Sequence, residues 1–168
     1  MSRTTTARVM TAEDDPIVRA DLRLVLEEAG FGVCAGARDG IEAVELARLH
    51  APDVIVLDLG LPRLGGVEAM RQILSERDVP IIALTGRSTE LALEAVEAGA
   101  VTYLHKPFVE HELVDTVTSA LETHRRTARA ESRAAIAEVL ELVGYPEGWA
   151  DDLERRAYAA GRLWKKSG

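Results

Sequence analysis

Short apolar runs and longer amphipathic stretches alternate along about the first 120 residues, the pattern of βα units stacked into a parallel sheet. The apolar runs are Arg8–Ala12, Val33–Ala37, Val54–Asp58, Ile81–Thr85 and Thr102–Lys106. A run such as VIVLD is apolar on both alternating sets, which predicts a central strand covered on both faces. Between the runs, Val18, Leu22, Val25, Leu26 and Ala29 recur at helical spacing, with Pro16 near the start and Gly30 past the end. Ile41–His50, Gly66–Glu76, Glu90–Ala98 and Glu110–His124 read the same way. The expected fold class is therefore α/β, a doubly wound five-stranded parallel sheet in (βα)5 order.

Beyond His124 the pattern changes. Helical periodicity continues through Val143 with Ile136, Val139, Leu140 and Val143 on one face, and Gly144 and Pro146 end it. A second tail helix is expected over about Gly148–Lys165, with Trp149, Leu153, Arg156 or Ala157, Ala160 and Trp164 on its apolar face. Arg155, Arg156, Arg162, Lys165 and Lys166 make a basic cluster. This divides the chain into a domain over residues 1–124 and a short α-helical C-terminal extension over 125–168.

Charge sharpens that division. Residues 1–124 hold 11 Lys and Arg against 21 Asp and Glu, whereas residues 125–168 hold 9 against 7. An acidic body argues against nucleic-acid binding by the body and leaves RNA as a partner for the tail only. The single cysteine, Cys34, builds neither a disulfide framework nor a multi-cysteine zinc site, which fits a cytoplasmic protein. No segment is a signal peptide or reaches the roughly 18 to 20 apolar residues of a membrane span, so no membrane partner is expected.

In doubly wound sheets, ligands bind beyond the carboxyl ends of the strands. Those ends carry Glu13, Asp14 and Asp15 after the first strand, Asp58 at the third, Thr85 at the fourth and Lys106 at the fifth. Carboxylates gathered in one small pocket repel unless a divalent cation neutralises them, and hard oxygen ligands suit Mg2+. Mg2+ shares its shell readily with phosphate oxygens, and phosphoryl transfer requires positioning and charge neutralisation above all. In that scheme Asp58 is the nucleophile that forms an acyl phosphate, Lys106 holds a phosphoryl oxygen, and the Thr85 hydroxyl donates to another.

The set AEDDP, VLDLGLP with a Gly pair shortly after, ALTG and YLHKPF resembles the receiver domain of bacterial response regulators, in the order and spacing of that family. The resemblance implies a flavodoxin-like receiver phosphorylated by a sensor histidine kinase or a phosphotransfer protein. It implies Asp14 and Asp15 as the acidic pair that holds Mg2+ with Asp58 and the Gly60 backbone carbonyl. It further implies Asp58 as phosphoacceptor, Thr85 as switch hydroxyl, Tyr103 as switch aromatic and Lys106 as the phosphate-contacting lysine. Glu13 and His105 stay unassigned. Two positions depart from the family pattern: Leu61 stands where Met is common, and Gly60 lacks a side chain, which exposes an acyl phosphate to water.

Other readings stand beside this one. A haloacid-dehalogenase-type phosphatase also uses a strand-end Asp with Mg2+ but carries a second Asp two residues on, where this chain has Gly60, so turnover of a separate substrate is not expected. A receiver-like scaffold that works without phosphorylation is a further alternative. The tail resembles in part the ANTAR class of RNA-binding antitermination domains, without a full third helix. Against this stands a tail for dimerisation or partner docking, and a homodimer is also expected to form through the face of the fourth and fifth helices.

Overall fold

The computed structural model describes residues 6–86, 88–144, Gly148 and Arg155. Its elements run β1 (Arg8–Ala12), α1 (Pro16–Glu28), β2 (Gly32–Ala37), α2 (Gly40–His50), β3 (Val54–Asp58), α3 (Gly66–Glu76), β4 (Ile81–Thr85), α4 (Thr89–Glu97), β5 (Thr102–His105) and α5 (Glu110–Leu142). The strands form one sheet in the order β2-β1-β3-β4-β5, and every pairing is parallel. The α/β doubly wound sheet expected from the sequence is the fold. Its strand order reverses at β1, which lies between β2 and β3 and opens a crevice at their carboxyl ends.

The period-2 alternation of the strands divides the core in two. Ile55, Leu57, Ile81 and Ala83 face one side, where Val44 of α2, Met70 and Ile73 of α3 and Ala95 of α4 cover them. Val54, Val56, Ile82 and Leu84 face the other, against Leu22 and Leu26 of α1 and Leu113 and Val117 of α5. Each such Leu or Ile, fully buried, contributes about 1.5–3 kcal/mol. The two central strands are buried at every position, so neither face tolerates a polar replacement.

Several boundaries differ from the sequence reading. β5 ends at His105 rather than Lys106: the Lys106 amide still donates to the Thr85 carbonyl (2.7 Å), but Pro107 follows and has no N–H to carry the ladder on. α4 starts at Thr89, capped by the Ser88 hydroxyl accepting from the Leu91 amide. The helices read over 110–124 and 125–143 are one helix of 33 residues, since no Gly or Pro interrupts Glu110–Leu142. Gly144 follows in the left-handed region (φ 83°), as its lack of a Cβ permits.

The chain divides into two compact units, residues 1–124 and 125–168. Within the second, Ile136, Val139, Leu142 and Val143 are exposed. The expected tail helix over 148–165 lies outside the described residues except for Gly148 and Arg155. No helix among the described residues is long and apolar enough to cross a membrane.

Candidate functional site

The site forms where the ends of β1, β3 and β5 converge. VIVLD delivers Asp58 as the last residue of a wholly buried strand, 5% exposed. Its carboxylate is held from two sides: Oδ1 accepts the Gly60 amide (3.1 Å) and Oδ2 accepts the Lys106 ammonium (3.0 Å). The same Nζ donates to Oε2 of Glu13 at 2.9 Å, so one lysine bridges two carboxylates that lie far apart in sequence.

Glu13 is the residue the sequence reading left unassigned. Its amide extends the β1–β2 ladder by one more bond, to the Ala37 carbonyl (3.0 Å), which turns its side chain into the site at 1% exposure. Burial pushes its carboxyl above the ordinary carboxylate value, more than the bonds from Lys106 and the Asp15 amide pull it down, and the neighbouring Asp58 adds to the rise. Burial also works against the Lys106 charge, but its bonds to Glu13 and Asp58 outweigh that and hold the ammonium above its ordinary value.

Asp15 requires a correction. Oxygens of Glu13, Asp14 and Asp58 lie within 4.8 Å of one another, whereas the Asp15 carboxylate caps α1 by accepting the amides of Ile17 (2.8 Å) and Val18 (3.2 Å). The acidic pair gathered at Asp58 is therefore Glu13 and Asp14, one residue earlier than the sequence reading placed it. The signal was present: an Asp directly before Pro16, at the head of an apolar-periodic stretch, is an N-cap followed by Pro at N1.

The remaining residues sit at the rim. Thr85 is buried at the end of β4, and its hydroxyl donates to the Ser88 carbonyl (3.3 Å) rather than to Asp58. Tyr103 is 39% exposed, with its ring edge-on to His105 at 5.2 Å between centroids. His105 places Nδ1 3.1 Å from the Gly86 carbonyl. The Gly60 carbonyl makes no hydrogen bond among the described residues, and a Cβ added at Gly60 would lie 3.6 and 3.7 Å from the two Asp58 oxygens, in ordinary contact.

Gly66 is fixed by the approach of its own loop. A Cβ there would lie 2.3 Å from the Asp58 carbonyl oxygen and 2.6 Å from the Leu59 Cα, both backbone atoms. Gly66→Ala is expected to cost about 3 kcal/mol, at the upper end for overpacking, because the strand end cannot yield. Its denaturant midpoint should fall well below wild type; an unchanged midpoint contradicts this account of the loop.

The donor set fits a hard divalent cation. Three carboxylates gather at one ammonium, which bonds only Glu13 and Asp58, and the ligand atoms are oxygens only.

Residues 9–118 match the family described as the response regulator receiver domain. The chain is 40% identical over 129 residues to the transcriptional regulatory protein PdtaR of Mycobacterium tuberculosis, covering 76% of this chain and 63% of that protein. It is also 40% identical over 129 residues to the response regulator MprA of Mycobacterium leprae, covering 76% and 56%. A crystal structure of a LuxR-family two-component response regulator from Aurantimonas shares 39% identity with a TM-score of 0.67, over 71% of this chain and 87% of that one. The chain thus spans about three fifths of the length of these two relatives. The match begins in β1 and runs into α5, taking in every strand end that supplies the site, and on that ground the chain belongs to the response regulator receiver domain family of two-component signalling.

Proposed function

We propose that Asp58 is the phosphoacceptor of this receiver, taking a phosphoryl group from a histidine kinase or phosphotransfer protein with Mg2+ as cofactor. The observation that carries the reading is the Lys106 bridge, which holds a strand-end carboxylate within an oxygen cluster suited to a divalent cation. Glu13, Asp14 and Asp58 would hold the ion, with the Gly60 carbonyl as a further oxygen ligand. Mg2+ bound there supplies neutralisation of the charge on the transferring phosphoryl group.

The chain's own groups do the rest. The Gly60 amide and the Lys106 ammonium each hold one Asp58 oxygen, which fixes the plane of the attacking carboxylate. An oxygen of Asp58 forms the new bond to phosphorus as the bond to the donor's leaving atom breaks, and the electron pair leaves with the donor. Lys106 then follows the new charge onto a phosphoryl oxygen. Thr85 rotates its hydroxyl from the Ser88 carbonyl toward another phosphoryl oxygen, releasing the β4–α4 loop. Tyr103, released from its contact with His105, turns into the space that Thr85 vacates.

The output is assigned to residues 125–168. Exposed Ile136, Val139, Leu142 and Val143 favour a protein partner or a second copy over RNA, because an apolar stripe gains nothing from a phosphate backbone.

Acetyl phosphate with Mg2+ is expected to label the protein on Asp58, as read by peptide mapping, and chelation of the metal should abolish the label. Glu13→Gln is expected to raise the Mg2+ requirement by an order of magnitude or more, and Asp15→Asn to leave it near wild type, since Asn caps a helix as well as Asp does. The reverse ranking would return Asp15 to the metal site. Apparent Mg2+ affinity should weaken as pH falls through the raised Glu13 value, because only the ionised carboxylate binds the ion.

A further inference from the structure

The carboxylates of the site are not held equally. Glu13 is pinned through both oxygens, by the Asp15 amide and by Lys106, and Asp58 is pinned by the Gly60 amide and by Lys106. Asp14 is exposed, and among the described residues no group hydrogen-bonds its carboxylate. What aims Asp14 at the cluster must therefore act on its backbone.

Arg19, the fourth residue of α1, supplies that hold. Its Nη1 donates to the Glu13 carbonyl at 2.6 Å and to the Asp14 carbonyl at 3.2 Å. These carbonyls belong to the two peptide planes on either side of the Asp14 Cα. Fixing both planes fixes φ and ψ of Asp14 and with them the direction of its Cα–Cβ bond. The guanidinium is suited to this, because one nitrogen carries two N–H groups in a rigid plane, which a flexible ammonium does not reproduce. The arm itself is anchored. Its backbone amide closes the first turn of α1 on the Asp15 carbonyl (2.9 Å), and its methylenes lie beside Gly36 of β2, where a Cβ would sit 3.5 Å from the Arg19 Cδ. The Asp15 cap thus starts the helix that brings Arg19 back over the loop.

We infer that Arg19 is a positioning residue for divalent-cation binding, acting through the backbone of Glu13 and Asp14 and touching neither metal nor phosphoryl group. The inference rests on the metal reading of the Glu13–Asp14–Asp58 cluster. Groups that orient metal ligands from outside the coordination shell typically change affinity by roughly 10–100-fold when removed. Both bonds orient one ligand of three, Asp14, since the Glu13 carboxylate is held through its own oxygens, so the low end of that range is expected.

The test is a Mg2+ titration of the full chain by calorimetry, with no phosphodonor present. Arg19→Met keeps the aliphatic stem against Gly36 and removes both donors; Arg19→Lys keeps the charge. Arg23→Met on the same helix removes an equal charge from an exposed pair with Glu27 and controls for net charge alone. The expected result is a Mg2+ dissociation constant raised roughly tenfold in Arg19→Met, partly recovered in Arg19→Lys and unchanged in Arg23→Met. In labelling by acetyl phosphate, Arg19→Met should raise the half-saturating Mg2+ concentration by the same factor, while the rate at saturating Mg2+ falls far less. Wild-type affinity in Arg19→Met overturns the inference and leaves the metal site standing. A labelling loss that excess Mg2+ does not recover also overturns it, since that is the behaviour of a damaged fold. A wild-type protein that binds no Mg2+ overturns the metal reading itself, and the role of Arg19 with it.

Discussion

Replacing Asp58 by Asn is expected to abolish labelling by acetyl phosphate or by a phosphorylated kinase, while the fold persists. An amide oxygen is a far weaker nucleophile than a carboxylate and forms no acyl phosphate, so the loss should be complete. The fold should survive because the substitution is isosteric. The Asn oxygen still accepts the Gly60 amide, and Lys106 keeps its bond to Glu13. One like charge is also removed from beside Glu13, whose carboxyl the Asp58 charge helps to push up, so thermal stability should equal or exceed wild type. Circular dichroism and mass spectrometry of the intact protein read both arms. A variant that labels as wild type would move the phosphoacceptor elsewhere.

Lys106→Met should strike both chemistry and stability. Loss of one preorganised donor at a developing charge costs roughly a hundredfold or more in rate, so phosphorylation should slow by at least that factor. The folded state loses the counter-ion of two carboxylates that are 1% and 5% exposed. Breaking a fully buried pair costs roughly 3–5 kcal/mol; on the order of 2 kcal/mol is expected here because the Lys106 side chain is 27% exposed.

That deficit has a sign with pH. Without its ammonium partner, Glu13 holds its proton more tightly when folded than its ordinary value of 4.5 allows. A group raised in the folded state favours folding below its unfolded value and loses that contribution as pH rises through the folded one. Urea unfolding should therefore show a small deficit in acid that grows toward neutral pH, and added Mg2+ should shrink it. A deficit of equal size at every pH would exclude Glu13 as its source.

The architecture was largely legible because its signals are local. Two runs that are apolar up to their last residue, Val54–Asp58 and Ile81–Thr85, specify central strands by themselves, and amphipathic spacing with Pro16 and Gly30 brackets α1. Strands that finish in Asp58 and Thr85, with Lys106 just past the end of the last, mark the functional edge of any parallel sheet. The change of charge at His124 marks where the two units divide and not where the helix stops, since a chain without Gly or Pro continues its helix across it, as the periodicity through Val143 indicates.

The acidic triplet shows where local reading ends. Glu13, Asp14 and Asp15 are chemically alike and adjacent, and their order does not say which of them turn inward. One more ladder bond, from the Glu13 amide to Ala37, sends that carboxylate into the site, and the start of α1 sends Asp15 back to its own helix. Lys106 stands 93 residues from Glu13, so the bridge that makes Glu13 part of the site exists only once β1 and β5 share a sheet. By itself the sequence determined the parallel sheet, its functional edge and the residue types available for phosphoryl chemistry, since periodicity and strand ends are properties of neighbouring residues. Only the tertiary structure decided which carboxylates meet Asp58 and that Arg19 holds their loop, because direction at a strand end is fixed by hydrogen bonds to segments distant in the chain.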